Sequence, residues 1–211
     1  MYTPTHFQET DEAEIARLVT DHPLAAVVAQ TAQGLLVNHL PLLRDGAGFT
    51  GHVARANPMH AEIPEAAPVV AIFTAAEGYV SPNWYPSKAE THRAVPTWNY
   101  QVVHVHGHLS FSHAERDKRR AVSLLTSHHE RRVNGNAGWR MGDAPPDFLA
   151  TMLDNIVACH LHVDRIEAKS KLNQNRAEAD IRAVAEAADQ SGNARLSAAM
   201  RRILPVSPAR G

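Results

Sequence analysis

Residues Gln101 to Ser112 read QVVHVHGHLSFS, and this alternation commits the stretch to a β-strand with two unlike faces. Val103, Val105, Leu109 and Phe111 fall on one side, and His104, His106, His108 and Ser110 on the other, with Gly107 alone breaking the pattern. The first set predicts a core-facing surface and the second a polar, partly wet one. Such a strand needs partners. Leu24 to Ala29, Leu35 to Leu43, Phe49 to Ala54 and Val69 to Ala75 supply four further apolar runs, separated by Gly34, by Asp45-Gly46 and by residues 64–68. Asp45-Gly46 is a hairpin signal, because glycine accepts the positive φ that a tight turn requires. No long helical pattern intervenes among these first strands, which predicts an antiparallel meander or barrel and not a doubly wound sheet.

Helical patterns flank the strands. Asp11 and Glu14 have capping-box spacing ahead of Ile15, Leu18 and Val19, predicting a helix from about Glu12 to Thr20. A second opens at Ser112-His113-Ala114-Glu115 and runs towards His128, and a third covers about Asp147 to Val157, after which His160 to Ile166 returns as a strand. Beyond Arg176 the chain is alanine-rich, with Ser191-Gly192-Asn193 dividing two short helices before the tail from Pro205 to Gly211. At 211 residues the chain suits one well-buried core. The expected organisation is a domain over residues 1–175 with a helical extension, 176–211, packed on it.

Composition removes several classes of function. No apolar run approaches the roughly 20 residues needed to span a bilayer. The chain opens on polar residues and not on a secretory signal, and the single Cys159 has no internal disulfide partner, so a cytoplasmic location is expected. A formal charge of -1 and a pI near 6.9 argue against a protein that coats nucleic acid. No helix-turn-helix is visible, and Lys118-Arg119-Arg120 and Arg131-Arg132 read as solvated helix surface.

The chemistry concentrates between Glu77 and His108, where two of the three tryptophans and three of the four tyrosines cluster as Tyr79, Trp84, Tyr85, Trp98 and Tyr100. Ser81-Pro82-Asn83-Trp84-Tyr85-Pro86 is turn chemistry carrying large amphipathic rings. It can wall a flat aromatic ligand, or pin its own loop to the body; the residues alone leave both open. Arg55, just past a strand end, is placed to grip a phosphate bidentately. The histidines compete with this reading. His104, His106 and His108 recur about 6.6 Å apart along a strand, and His160-Leu161-His162 repeats the spacing, so a transition metal or a haem iron is a rival ligand. No carboxylate adjoins them in sequence, and the expectation is a pH-responsive face without a metal. No phosphate-cradling glycine motif and no Ser/His/Asp arrangement occurs, and Cys159 reads as a small buried apolar residue.

Four ordered motifs carry a family resemblance: GHVARANP from Gly51 to Pro58, YVSPNWY from Tyr79, VPTWNYQVVHVHG from Val95, and KLNQN from Lys171 to Asn175. With the opening Met1-Tyr2-Thr3-Pro4, Phe7 and His39-Leu40-Pro41, the chain resembles the PaiB-like family of FMN-binding negative transcriptional regulators as far as about Asn175. The resemblance implies an α+β split β-barrel related to flavin reductases and pyridoxamine-phosphate oxidases. It also implies a homodimer with flavin at the subunit interface, to which the chain's own pattern adds peripheral helices and a helical C-terminal extension. FMN needs cations or N–H donors for its phosphate, polar partners for its ribityl chain and pyrimidine edge, and a ring wall. Mapped onto the motifs, those needs select His52, Arg55 and Asn57, then Ser81, Trp84 and Tyr85, then Thr97, Trp98 and Asn99, and lastly Lys171, Gln174 and Asn175. The stretch from Lys169 to Asn175 reads as too polar to be core. A flavin reductase or oxidase on the same barrel is the enzymatic rival, with any chemistry supplied by the flavin.

Overall fold

The computed structural model describes residues 1–205, so the rest of the expected tail lies outside the described residues. Seven strands occur among them: β1 (Leu24–Thr31), β2 (Gly34–Pro41), β3 (Leu43–Asp45), β4 (Gly48–Ala54), β5 (Pro68–Val80), β6 (Thr97–Ser112) and β7 (Ile156–Lys171). The helices are α1 (Glu12–Asp21), α2 (Met59–Glu62), α3 (Ser87–Thr91), α4 (Glu115–Asn134), α5 (Pro146–Asp154), α6 (Glu178–Gln190) and α7 (Ala194–Arg202). One sheet orders the strands β2-β1-β5-β6-β7-β4-β3. The fold is the α+β split barrel that the motifs imply, with the C-terminal helices expected from the alanine-rich stretch beyond Arg176.

The chain divides into two compact units. The first holds residues 1–15, 74–103 and those from 167 onward; the second holds 16–73 and 104–166. Helix α1 and strands β5, β6 and β7 contribute residues to both.

In the second unit β1 pairs antiparallel with β2 and with β5, and β4 pairs with β3 and with β7. The β3–β4 connection is the expected hairpin, with Gly46 at φ +61°. Inward residues Val27, Ala71, Phe49, Phe73, Val105 and Leu161 are buried, and the rings of Phe49 and Phe73 lie 5.4 Å apart. Gly107 is required by proximity and not by its φ: a Cβ there would sit 1.8 Å from the His162 carbonyl oxygen.

The first unit has its own core. Val80, Tyr85, Leu172, Val184, Leu196 and Met200 pack in one cluster, so α6 and α7 bury the apolar side of this stretch of sheet. Asp180, itself buried, accepts hydrogen bonds from Ser87 N (3.1 Å) and Ser87 Oγ (2.7 Å), tying the start of α3 to α6. Asn193 caps α7 by accepting from Leu196 N at 3.1 Å, while its amide donates to the Glu77 carbonyl at 2.9 Å.

Several sequence expectations are corrected here. The stretch Leu35 to Leu43 is two strands, because Leu42 N leaves the ladder to donate to the Pro23 carbonyl at 2.9 Å. The third predicted helix ends at Asp154; Ile156 and Val157 belong to β7, which also runs five residues past Ile166. Apolar Ile-Val suits either element, and pairing with Ala54 and Val53 of β4 decides it. The stretch from Lys169 to Asn175 is not too polar to be core: Lys169, Ser170, Leu172 and Asn173 are all buried. Lys118 is buried as well and lies 3.9 Å from Asp154, so its run is not simply solvated.

Candidate functional site

In the first unit β6 and β7 present an aromatic and cationic surface. Successive strand residues point to opposite faces, and the burial of β6 follows that rule, with Trp98 exposed and Asn99 buried. Trp98 donates its indole N–H to the Glu77 carboxylate, and its ring meets Tyr79 edge-on at 6.3 Å between centroids. Both rings are half exposed, which leaves apolar faces uncovered. Lys171 donates to Thr97 Oγ1 at 2.6 Å, and among the described residues its ammonium has no carboxylate partner. A cation and a hydroxyl thus pair at the start of β6 and the end of β7, next in sequence to the half-exposed Trp98.

Other predicted residues of this unit go elsewhere. Tyr85 is buried in the core cluster, with its hydroxyl accepting from Asn173 Nδ2 at 3.1 Å and the Arg176 guanidinium 4.9 Å from its ring centre. Burial pushes its phenol above the ordinary value. Trp84 packs partly buried against the same cluster. Ser81 accepts from Asn83 N at 3.2 Å and caps a short 3-10 turn. Gln174 shapes the turn after β7, accepting from Leu172 N (2.8 Å) and donating to the Ser170 carbonyl (2.5 Å). Asn175 is exposed. Asn99 is fully buried on the helix side: its amide nitrogen donates to Met200 Sδ at 3.6 Å, and its Oδ1 has no partner. The aromatic cluster of the sequence is therefore divided, Trp84 and Tyr85 serving the core while Tyr79 and Trp98 face outward.

The second unit holds His52, Arg55 and Asn57. Arg55 is exposed, and its guanidinium has no partner among the described residues, while its backbone is anchored by Arg55 N donating to Asn155 O at 2.8 Å. Asn57 is structural: it donates to Asn38 Oδ1 at 2.9 Å and accepts from Met59 N at 3.0 Å. His52 Nδ1 is buried without a partner, and burial lowers its pKa. The same unit contains a cleft of about 440 Å³ whose lining includes Asp45, Thr50, Arg120, Ser110 and His160. Arg120 binds Asp45 at 2.5 Å, Thr50 Oγ1 donates to Asp45 at 2.9 Å, and His160 Nδ1 lies 3.0 Å from the same hydroxyl. Since Thr50 has one proton and gives it to the carboxylate, His160 carries its proton on Nδ1. Beside it, His162 lies 4.7 Å from His160 and stacks on His108 at 4.7 Å, with Asp164 4.0 Å from His108. Cys159 is buried with its thiol pushed up to about 12, which removes it as a nucleophile.

Residues 1–165 match the family described as "Putative FMN-binding domain". "Protease synthase and sporulation protein PAI 2" of Bacillus subtilis is 31% identical over 191 residues, covering 88% of each chain. The chain belongs to this FMN-binding family. Its cofactor is FMN. Among solved structures, the FAD and heme binding protein of Mycobacterium smegmatis superposes with a TM-score of 0.58 at 20% identity, covering 82% of this chain and 78% of that one. The flavocytochrome Anf3 of Azotobacter vinelandii gives 0.60 at 14% identity, covering 78% and 69%. At these identities the two structures show a shared fold and nothing more.

The first unit's residues fit the family's cofactor. Lys171 and Thr97 offer donors for a phosphate or ribityl oxygen, and Trp98 with Tyr79 offers ring faces. Tyr79, Tyr100 and Lys169 belong to this surface but stand outside the residues selected from the motifs. Lys169 and Lys171 have the i, i+2 spacing of one strand face, a signal that is legible only with β7 running past Ile166 to Lys171.

Proposed function

We propose that this protein is a flavin-binding negative regulator of transcription that works as a cytoplasmic homodimer. Residues 1–175 hold the flavin, and the helices beyond are their packed extension. The observation that carries the reading is the Lys171–Thr97 pair beside the exposed Trp98, a cation and a ring platform on one end of two paired strands. Arg55 is assigned separately, as a phosphate-binding arginine, because it is exposed and unpaired among the described residues. The regulatory role is supported by the resemblance of the motifs and by the Bacillus subtilis relative, whose name is that of a protease synthase and sporulation protein. The lone buried Cys159 and the lack, among the described residues, of a helix long and apolar enough to cross a membrane are compatible with the assigned compartment.

Near-neutral charge gives little general pull on DNA, so regulation is expected without tight sequence-independent DNA binding. The test titrates the purified protein with FMN, follows flavin fluorescence and sedimentation, and compares transcripts in cells with and without the gene. Saturable FMN binding to a dimer together with derepressed transcripts is the expected result. No flavin binding, or flavin-dependent oxidation of pyridine nucleotides with unchanged transcripts, defeats it.

A further inference from the structure

Lys169 is a buried ammonium that the family motifs leave without a task. It is 6% exposed, yet among the described residues the only hydrogen bond of its ammonium is the one it donates to the Tyr2 carbonyl at 3.2 Å. The rings of Tyr100 and Tyr2 lie 5.1 Å and 5.8 Å from Nζ, and no carboxylate pairs with it among the described residues. An ammonium has three donors, so two are unmatched here, and ring faces compensate only part of the lost hydration. Lys169 and Lys171 are two apart on β7 and therefore share a face, as do Trp98 and Tyr100 on β6. Two lysines run beside two aromatics, and the neighbouring strand carboxylates Glu77 and Glu167 are engaged by the Trp98 indole and the Met1 ammonium.

What covers Lys169 is the N-terminal segment of the chain. Gln8 bridges to Lys169, and Glu9 N donates to the Ala168 carbonyl at 3.0 Å, so the N-terminal segment is fixed alongside β7 at that point. Towards its start the segment is held by the Met1 ammonium, which donates to the Glu167 carboxylate at 3.1 Å, and by Tyr2, which is 85% exposed and reaches Lys169 through its carbonyl and one ring. Lifting residues 1–4 uncovers an ammonium already surrounded by apolar faces, where a phosphate is bound more strongly than at an open lysine.

We propose that Lys169 is the second phosphate-binding cation of the flavin site, and that residues 1–4 form a strap whose Tyr2 carbonyl occupies the phosphate's place until FMN arrives. This rests on the reading that Lys171 and Trp98 hold the flavin. Nothing covalent is required: one carbonyl acceptor is exchanged for a phosphate oxygen, and Tyr2 is freed to cover the ligand.

Four proteins test it against FMN and riboflavin, which differ only in the phosphate: the full chain, Lys169→Met, Lys169→Arg, and a chain lacking residues 1–4. The full chain should prefer FMN; failure to bind either ligand sinks the flavin reading itself, separately from the strap. Lys169→Met should lose roughly tenfold to hundredfold in FMN affinity with riboflavin little changed, as removal of a charge-assisted hydrogen bond predicts. Lys169→Arg should keep most of the preference, which guards against a merely structural loss. The strap-free chain should bind FMN faster while riboflavin association stays the same. An unchanged FMN-to-riboflavin ratio in Lys169→Met, or unaltered FMN association without the strap, overturns the proposal.

Discussion

Strands β6 and β7 carry two different chemistries along their length. In the first unit Trp98, Tyr100, Lys169 and Lys171 form a surface of rings and ammonium groups, and neither lysine is ion-paired among the described residues. In the second unit the same strands carry imidazoles, with His162 in ring contact with both His108 and His160 and with Asp45, Asp164 and Ser110 close by. The difference teaches that period-two alternation makes a polar face but does not say what it binds. That depends on whether neighbouring elements bring answering charges. Uncompensated lysines favour an anion, whereas imidazoles beside carboxylates already have partners and respond to protons.

The largest expected effect breaks the strand pair itself. Gly107→Val places a side chain where even a Cβ meets the His162 carbonyl oxygen, so a loss of more than about 3 kcal/mol is expected, read by urea denaturation. A near-normal urea midpoint would show that the close approach of β6 and β7 is dispensable. Next, Met200→Ala removes a fully buried side chain from the first unit's core and should cost about 2–5 kcal/mol. Local exchange protection should fall in α6 and α7 first, and equal loss throughout the chain would mean the two units do not differ in stability.

Arg55→Ala sharpens the contrast by asking whether the second unit also reads the phosphate. FMN affinity should fall by about 1.5–3 kcal/mol while riboflavin falls less, as fluorescence titration would record. Equal losses for both ligands remove Arg55 from that role. The smallest effect concerns protons. Burial lowers the pKa of His52 and is also the main cause of lowering at His160, so the unfolded chain takes up protons that the folded one refuses. Stability should therefore decline as pH falls through the ordinary histidine value, about 6.5, and His52→Phe should flatten that decline. Asp45 acts lower down: its hydrogen bond from Arg120 holds it below the usual carboxylate range, so its contribution persists at neutral pH and is lost only in stronger acid. A pH–stability curve from 8 to 3 with an unchanged histidine-range slope in His52→Phe would refute the assignment.

Much of this protein is determined by local pattern. Alternation over 101–112, the Asp45-Gly46 turn, the capping box ahead of Ile15 and the break at Ser191-Gly192-Asn193 each concern residues close in sequence, and each element forms near its expected place. The four motifs likewise place the chain in its family, because short ordered strings survive without knowledge of contacts. Tertiary structure decided what those motif residues face. Tyr85 and Trp98 look equivalent as aromatic residues in one loop-rich stretch, yet a core built by α6 and α7 takes the first, and an uncovered sheet face keeps the second. Asn99 and Gln174 have the polarity of ligand contacts, but one lies under Met200 and the other folds a turn. Lys169 shows the converse, a residue of ordinary appearance made unusual by burial beneath Tyr2. The physical reason is common to all five: polarity and ring area are properties of a side chain, while exposure and partnership are supplied by segments distant in sequence.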